Sequence, residues 1–297
     1  MNLYDESRII VLNSTDATKL NSTMNSSVRF NFSGLLKPDT NIIHSHIQLM
    51  ALQIPNSFYT INGNNNKLFY TFGTIFSITI PVGNYNVYSL ISTMTSLFIT
   101  NGHNIGMTFS KINGKITYTS TSNFTFNTTG STILKILGFL PSVNTSSIGN
   151  TLVSTFPLNL IGTKRIMITS TSLATNAIHS KNSQTSSILA TIIVDEPKFG
   201  LITHSGTSNV NHLLKVLTID TIDLQLLDED GNFIDLNNCE WTMKLKISST
   251  YELVLDSKTT FKEITQQKSI PSIPEIPVFS PDTDLELLLY NSKNPLK

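Results

Sequence analysis

Alternation of apolar and polar residues with a period of two recurs along most of this chain, and it restricts the fold more than any other feature. Residues 27–34, SVRFNFSG, place Val28 and Phe30 on one face of such a run. Residues 239–249, CEWTMKLKISS, repeat the pattern. Successive side chains of a strand point to opposite faces of a sheet, so each run predicts a half-buried strand. Turn residues separate the runs, which favours an antiparallel sandwich or jelly roll.

Residues 42–54, IIHSHIQLMALQI, depart from simple alternation because their second half is apolar at nearly every position. A strand that is apolar on both faces is usually covered on both sides. The sequence therefore predicts a central strand here.

Residues 67–140 follow a different pattern from the strands on either side. Within residues 86–99, apolar residues recur at helical spacing, which predicts an amphipathic helix. Asn84 or Asn86 is the expected N-cap, and Asn101 with the glycine after it is the expected end.

The same segment contains further local signals. Asn113-Gly114 predicts a β-hairpin, and residues 131–139, STILKILGF, predict a short helix. We therefore expect a small α+β domain at 67–140, inserted in a jelly-roll sandwich formed by residues 27–66 and 141–257.

Both termini are expected to be extended arms. In the N-terminal arm, residues 1–26, the apolar run SRIIVL suits either a strand or a docking segment. The C-terminal arm, residues 258–297, is rich in proline, which excludes helix and central strand over SIPSIPEIPVFSP. The apolar stretch that follows, DTDLELLLYNS, suits docking on a neighbouring subunit, and a frayed terminus is the alternative.

Composition restricts the partners. Charged residues make up 13% of the chain, against roughly 25% in an average soluble protein, and the formal net charge is zero. A weakly charged surface permits many copies to pack together. Basic residues cluster no further than pairs such as Lys164-Arg165, so we expect no nucleic-acid partner.

The N-terminus, MNLYDESRII, lacks a basic segment followed by an apolar run, so we expect no signal peptide and folding in a reducing host cytoplasm. We also expect no membrane span. Glycosylation triplets such as those at Asn13, Asn21, Asn123 and Asn127 are expected to stay unmodified, because a chain rich in Asn, Ser and Thr contains them by chance.

The search for catalytic, cofactor-binding and metal-binding residues leads to none. His44 and His46 share a strand face, but no acidic residue or cysteine is near them in sequence. The remaining histidines, which form no motif, are His103, His179, His204 and His212. The single cysteine, Cys239, excludes a disulfide within the chain. We therefore expect a protein that is not an enzyme.

Two other constellations have structural explanations. Residues 228–232, DEDGN, have the wrong spacing for a calcium-binding loop and are better explained as a hairpin turn. Trp241 and Tyr251 would suit a sugar-binding platform, but Trp241 is in phase with Met243 and Leu245, which favours core packing.

The order of these segments resembles the penton and minor capsid proteins of virophages, Polinton-like viruses and related large DNA viruses. The resemblance is carried by IPVGNYNVYSLISTMTSL, KINGKITYTS, ILKILGF, FPLNLIGTKRIMITS and LLDEDGNFIDLNNCEWTMKLKI, and it spans residues 27–250. It implies a single jelly roll with an inserted domain, five copies of which close a vertex of an icosahedral shell.

The function implied by this resemblance is that of a structural subunit in the virion. The expected partners are other copies of the chain, as a homopentamer, and the major capsid protein, with a host receptor contacted through residues 67–140. A minor capsid or cement protein that staples capsomers is the alternative, as is an attachment protein that binds a receptor or glycan.

Overall fold

The computed structural model describes residues 3–21, 24–36, 42–173, 177–178, 185–206, 211–214 and 219–252. Its elements in chain order are β1 (Leu3–Asn13), a 3-10 turn (Ser14–Asp16), β2 (Thr18–Asn21), β3 (Met24–Leu36), β4 (Ile42–Pro55), β5 (Lys67–Phe72), β6 (Thr74–Thr79), α1 (Val87–Thr100), β7 (Gly106–Phe109), β8 (Ile116–Thr119), β9 (Thr125–Asn127), β10 (Thr145–Ser146), β11 (Thr151–Val153), β12 (Arg165–Thr169), β13 (Ala177–Ile178), β14 (Thr185–Ser186), β15 (Ile188–Ile193), β16 (Leu201–Ser205), β17 (His212–Leu213), β18 (Ile219–Leu227) and β19 (Thr242–Glu252).

Two antiparallel sheets form a sandwich. The first sheet has the order β1-β19-β4-β16, with β17 also paired to β4, and the second has the order β15-β12-β18-β3-β2. The pairs are nested along the chain: β1 with β19, β3 with β18, β4 with β16 and β17, and β12 with β15. A long hairpin folded over in this way is a jelly roll, so the predicted fold class is confirmed.

Apolar side chains from both sheets fill the sandwich. The largest of these side chains, that of Trp241, is 1% exposed, and its ring N–H donates to the carbonyl oxygen of Asn25 at 2.8 Å. Trp241 therefore packs in the core, as its phase predicted. The other buried core residues are mainly isoleucine and leucine, for example Ile47, Ile54 and Leu224.

A β-bulge explains the apolar second half of β4. Lys244 pairs with Ala51 and Leu245 with Leu49, so the register shifts by one residue at Met50. A one-residue shift exchanges the two faces of a strand. The predicted central strand is confirmed, because β4 lies between β19 and β16. Its expected coverage on both sides is wrong, because one face is buried before the bulge and the alternate residues are buried after it.

The N-terminal segment also differs from the prediction. Residues 1–26 are expected to be an arm, but Leu3–Asn13 forms a strand of the first sheet and pairs with β19 along its whole length. Within β1 only Ile10 and Leu12 are buried. A strand that buries so few residues gives a weak signal, which is why the sequence left its role open.

A second core lies between β4 and β12 in sequence. Its sheets have the orders β10-β9-β5-β6 and β11-β8-β7, and α1 packs with them through Leu90, Met94 and Phe98. The helix begins after Asn86, whose side chain accepts the backbone N–H of Ser89 at 2.9 Å, and it ends at Thr100, with Asn101 as the C-cap. The predicted helix is confirmed.

The predicted helix at residues 131–139 is wrong, because this segment makes turns only. The hydroxyl oxygens of Ser131 and Thr132 accept the N–H groups of Phe69 and Lys67, so they cap β5 and do not begin a helix. Gly138, with φ of 81°, then reverses the chain.

The second core exceeds the predicted range of the insertion. Its buried residues run from Ile61 to Leu152, and the partly buried Leu158 and Leu160 pack against it. We therefore propose residues 61–160 as the inserted unit. The predicted C-terminal arm, residues 258–297, lies outside the described residues.

Candidate interaction surface

The outer face of the first sheet has a groove at the bulge of β4. The groove has a volume of about 420 Å³ and crosses four strands. The register shift places Ala51 between Lys244 and Ser205 in this region. The full lining is Val11, Ala51, Leu52, Gln53, Thr203, His204, Ser205, Thr242, Met243 and Lys244.

Strand β1 bounds this face. Ile9 is 66% exposed and Val11 is 65% exposed, while Ile10 and Leu12 between and after them are buried. Ile9 lies opposite Lys246 and Val11 opposite Lys244. Two neighbouring β-branched side chains are therefore exposed at the edge of the sheet. The sequence prediction missed this feature because it left open whether the segment is a strand or a docking segment.

The first half of β1 is held by polar contacts to β19. The hydroxyl of Thr250 donates to Asp5 at 2.7 Å, and the hydroxyls of Ser7 and Ser248 lie 3.1 Å apart. The rings of Tyr4 and Tyr251 stack with centroids 5.0 Å apart. These contacts fix the edge strand as part of the sheet.

A polar cleft of about 430 Å³ lies between the inserted unit and the 228–232 turn. Lys135, Lys164, Asp228, Glu229 and Asp230 contribute its charges, and amide and hydroxyl groups make up most of the rest. The backbone N–H of Lys164 donates to Glu229 at 3.0 Å, which ties the return of the chain to this turn. The cleft thus carries two basic and three acidic side chains.

The 228–232 segment is a hairpin turn, as predicted. One carboxylate oxygen of Asp228 accepts the backbone N–H groups of Asp230 and Asn232, and the other accepts the side-chain amide of Asn232. Gly231 has a φ of 86°, which suits glycine. The Asp228 carboxylate is thus occupied in shaping the turn.

The histidines occupy separate environments. His44 and His46 share a strand face, with ring centroids 4.9 Å apart. The Tyr70 hydroxyl lies 2.8 Å from Nδ1 of His103, and His212 Nε2 lies 2.7 Å from the carbonyl oxygen of Leu189. No three His, Cys, Asp or Glu side chains converge within the part of the chain that the structure describes. His204 lines the groove, and His179 lies outside the described residues.

The asparagines of three glycosylation triplets serve the fold. Asn13 accepts the N–H of Thr15, Asn123 accepts the N–H of Asn150, and the side-chain amide of Asn127 donates to Thr71. The triplet at Asn21 lies partly outside the described residues. That these sites are unmodified stays a prediction.

Burial raises the pKa of Tyr70 and Tyr118 and lowers that of Lys198. Tyr118 is fully buried, and this burial raises its pKa because the charged form loses its hydration. Burial lowers the pKa of Lys198, whose ammonium donates to the carbonyl oxygen of Phe58 at 3.1 Å and lies over the Phe58 ring. Lys198 thereby fastens the segment that leaves β4.

The same departing segment has other ties to the sandwich. The Ser57 hydroxyl donates to the carbonyl oxygen of Leu236 at 2.6 Å, and the side-chain amide of Asn56 donates to that of Glu196 at 2.7 Å. The inserted unit is therefore anchored where the chain enters it. No helix in the described residues is both long and apolar enough to cross a bilayer.

Comparison with known proteins adds solved structures only, since no protein-family model and no curated protein matches the chain. The mavirus penton protein is 15% identical with a TM-score of 0.39, and the match covers 82% of this chain and 100% of that one. A chain of the Sputnik virophage is 12% identical with a TM-score of 0.38, covering 82% and 97%. The jelly roll itself is assigned from the nested strand pairs of this chain.

Proposed function

We propose that this chain is a structural capsid protein, which acts by packing against other subunits and not by catalysis. The observation that carries the proposal is a jelly roll that is filled by its own apolar side chains yet leaves Ile9 and Val11 exposed at a sheet edge. Jelly rolls of two packed sheets serve in viral capsids, lectins and cupins. Exposed apolar residues at an edge are typical of contact with another chain.

The surface chemistry supports the same function. Acidic and basic residues number 20 each, so the formal net charge is zero. Long-range repulsion between copies is weak at this composition, which favours a crowded assembly.

The finer proposal is a penton subunit of an icosahedral DNA virus or virophage. In it, copies close a five-fold ring, the ring docks to the major capsid protein, and the inserted unit provides a contact to the host. A ring requires two different surfaces on each subunit, and a single jelly roll with an insertion offers several.

Native mass spectrometry and light scattering of the full chain test this proposal, followed by co-sedimentation with shells of the major capsid protein. We expect pentamers, or monomers that join the shell at its vertices. A monomer at high concentration with no affinity for the shell would contradict the capsid function, and binding between capsomers would support the cement alternative.

A receptor-binding function of the inserted unit is the second candidate. Ile112, between β7 and β8, is 99% exposed, and Ile148, between β10 and β11, is 87% exposed. Exposed isoleucines on two loops are suited to an apolar contact with a host surface. Binding to host cells should fall in the Ile112→Ser and Ile148→Ser variants, while assembly with the shell stays unchanged.

A further inference from the structure

Strand β1 differs from the other free edges of the sandwich that the structure describes. It has eleven residues and a continuous register with β19. The opposite edge of the first sheet consists of the five-residue β16 and the two-residue β17. In the second sheet, the four-residue β2 and the six-residue β15 form the edges, and each has a register shift against its neighbour.

Natural sheets protect their edges by short strands, bulges, lysine or proline, because an open edge pairs with other chains. The β16, β17, β2 and β15 edges are short or irregular, and β2 contains Lys19. Strand β1 contains neither proline nor lysine. Its charged residues, Asp5, Glu6 and Arg8, all precede Ile9, so residues 9–13 are left without such protection.

That second half also exposes apolar side chains. Ile9 and Val11 are about two-thirds exposed on the outer face, whereas the residues between and after them are buried. Alternate residues of an edge strand direct their backbone N–H and C=O groups away from the sheet. Among the described residues, unpaired backbone groups and two exposed β-branched side chains thus coincide at residues 9–13.

We propose that β1 pairs with β1 of a second copy of this chain, antiparallel about a two-fold axis at Ile10. The first sheets of the two copies would then join into one sheet. Each Ile9 would lie opposite Val11 of the second copy, so the four exposed side chains would cover one another.

The charges of β1 agree with this register. With the axis at Ile10, Arg8 lies opposite Leu12 of the second copy and Ser7 lies opposite Asn13. Asp5 and Glu6 lie beyond the paired region, so no like charges face each other. An axis at Ser7 would instead place Arg8 opposite Glu6 and Val11 opposite Leu3, but Ile9 opposite Asp5. Only the register centred on Ile10 gives both exposed β-branched side chains an apolar partner.

The contact is two-fold and joins identical surfaces, so it differs from the contact that closes a ring and does not depend on the proposed capsid function. A single strand pair is small against the roughly 1,600 Å² of a standard interface. We therefore expect a weak dimer, with a Kd on the order of 10–100 μM. Repetition of the contact in an assembly would strengthen it through multivalency.

Sedimentation equilibrium of the full chain over a concentration series tests the pairing. The double variant Ile9→Lys/Val11→Lys places ammonium groups on both sides of the axis, next to Lys244 and Lys246, and should weaken dimerisation at least tenfold. Both positions are exposed, so the fold should be retained, which circular dichroism checks. Ile193→Lys is the matched control, because Ile193 is 67% exposed on the irregular edge strand β15.

Cysteine cross-linking tests the register in a Cys239→Ser background. A mixture of the Ile9→Cys and Val11→Cys variants should form a disulfide between the two proteins, and each variant alone should form far less. A preference for self-linking, a dimer that the double lysine variant leaves intact, or a chain that is monomeric at about 1 mM would each overturn the proposal. If rings persist in the double lysine variant while dimers are lost, the two-fold contact is supported separately from the ring.

Discussion

The sandwich and the inserted unit are both rich in β-strands, but they differ in how far apart in sequence their contacting residues lie. In the sandwich, the hydroxyls of Ser45 and Ser249 lie 2.7 Å apart at a separation of 204 residues. In the inserted unit, the Tyr70–His103 contact joins residues 33 apart. The sandwich therefore depends on closing nearly the whole chain, whereas the inserted unit is held by local contacts.

The two cores also differ in chemistry. Isoleucine and leucine dominate the sandwich, while rings pack on rings in the inserted unit, where Tyr118, Phe126 and Phe139 contact one another. Local contacts form quickly and distant ones slowly, so the inserted unit should fold before the sandwich. Four substitutions test how far the two regions are independent.

The largest effect is expected from Trp241→Ala in the sandwich. This change removes the largest buried side chain and the hydrogen bond to Asn25, at a cost of about 3–5 kcal/mol of the free energy of unfolding. Denaturant unfolding gives the total loss, and hydrogen exchange gives its location. Amides of α1 should keep their protection, and an equal loss of protection in α1 would show that the two regions unfold together.

Gly138→Ala should destabilise the inserted unit by about 2–4 kcal/mol, because an added Cβ would collide with the carbonyl oxygen of Phe156 at a backbone conformation that favours glycine. Gly102→Ala is the matched control. Gly102 has a similar φ of 80° but open space around it, so only about 1 kcal/mol of backbone strain is expected. Equal losses in the two variants would contradict the close contact at Gly138.

Asn86→Ala removes the side-chain oxygen that caps α1 and should cost about 1 kcal/mol. The loss should appear in the exchange rates of the first turn of α1 and leave the sandwich strands unchanged. Ser92→Ala is the control, since Ser92 is an exposed residue within the helix and alanine favours helix there. Faster exchange in β19 would show that the effect is not local.

The smallest expected effect is a gain in the free energy of unfolding, from Tyr118→Phe. The buried hydroxyl of Tyr118 has no hydrogen-bond partner in the described part of the chain, so its removal should stabilise the protein by up to about 1 kcal/mol. Burial raises the folded-state pKa of Tyr118 above its ordinary value of 10.0, so the wild type should lose stability as pH rises above 10.

The Tyr118→Phe variant should lose less stability than the wild type as the pH rises above 10, because it has no hydroxyl to ionise at this position. Unfolding measured at pH 8 and at pH 11 for both proteins provides the check. If both proteins lose the same stability over this interval, the Tyr118 hydroxyl is hydrated and not sequestered.

Sequence signals that act over a few residues predicted the structure well. Asn86 and the apolar spacing after it gave α1, and Asn113-Gly114 gave the connection between β7 and β8. The alternation in residues 27–34 and 239–249 predicted β3 and β19. The recurrence of such runs along the chain, with turn residues between them, predicted the jelly roll.

Features that depend on distant residues were not predictable in the same way. The bulge at Met50 appears only in the pairing with β19, so the apolar residues around it were interpreted as a doubly covered strand. Ser131 and Thr132 were assigned to a helix because their bonds to β5 bridge more than 60 residues. The exposed edge at Ile9 and Val11 could not be predicted, because it depends on the pairing of β1 with β19, the last described strand.

The turn between β15 and β16 holds both ends of the insertion. The N–H of Val194 donates to the carbonyl oxygen of Lys164 at 2.9 Å, and the N–H of Asn56 donates to that of Gly200 at 2.8 Å. Both ends of the insertion are thus fixed at one place in the jelly roll, so a different segment could be inserted there without altering the strand pairing of either sheet. We therefore expect related chains to share the sandwich strands while differing in the inserted segment.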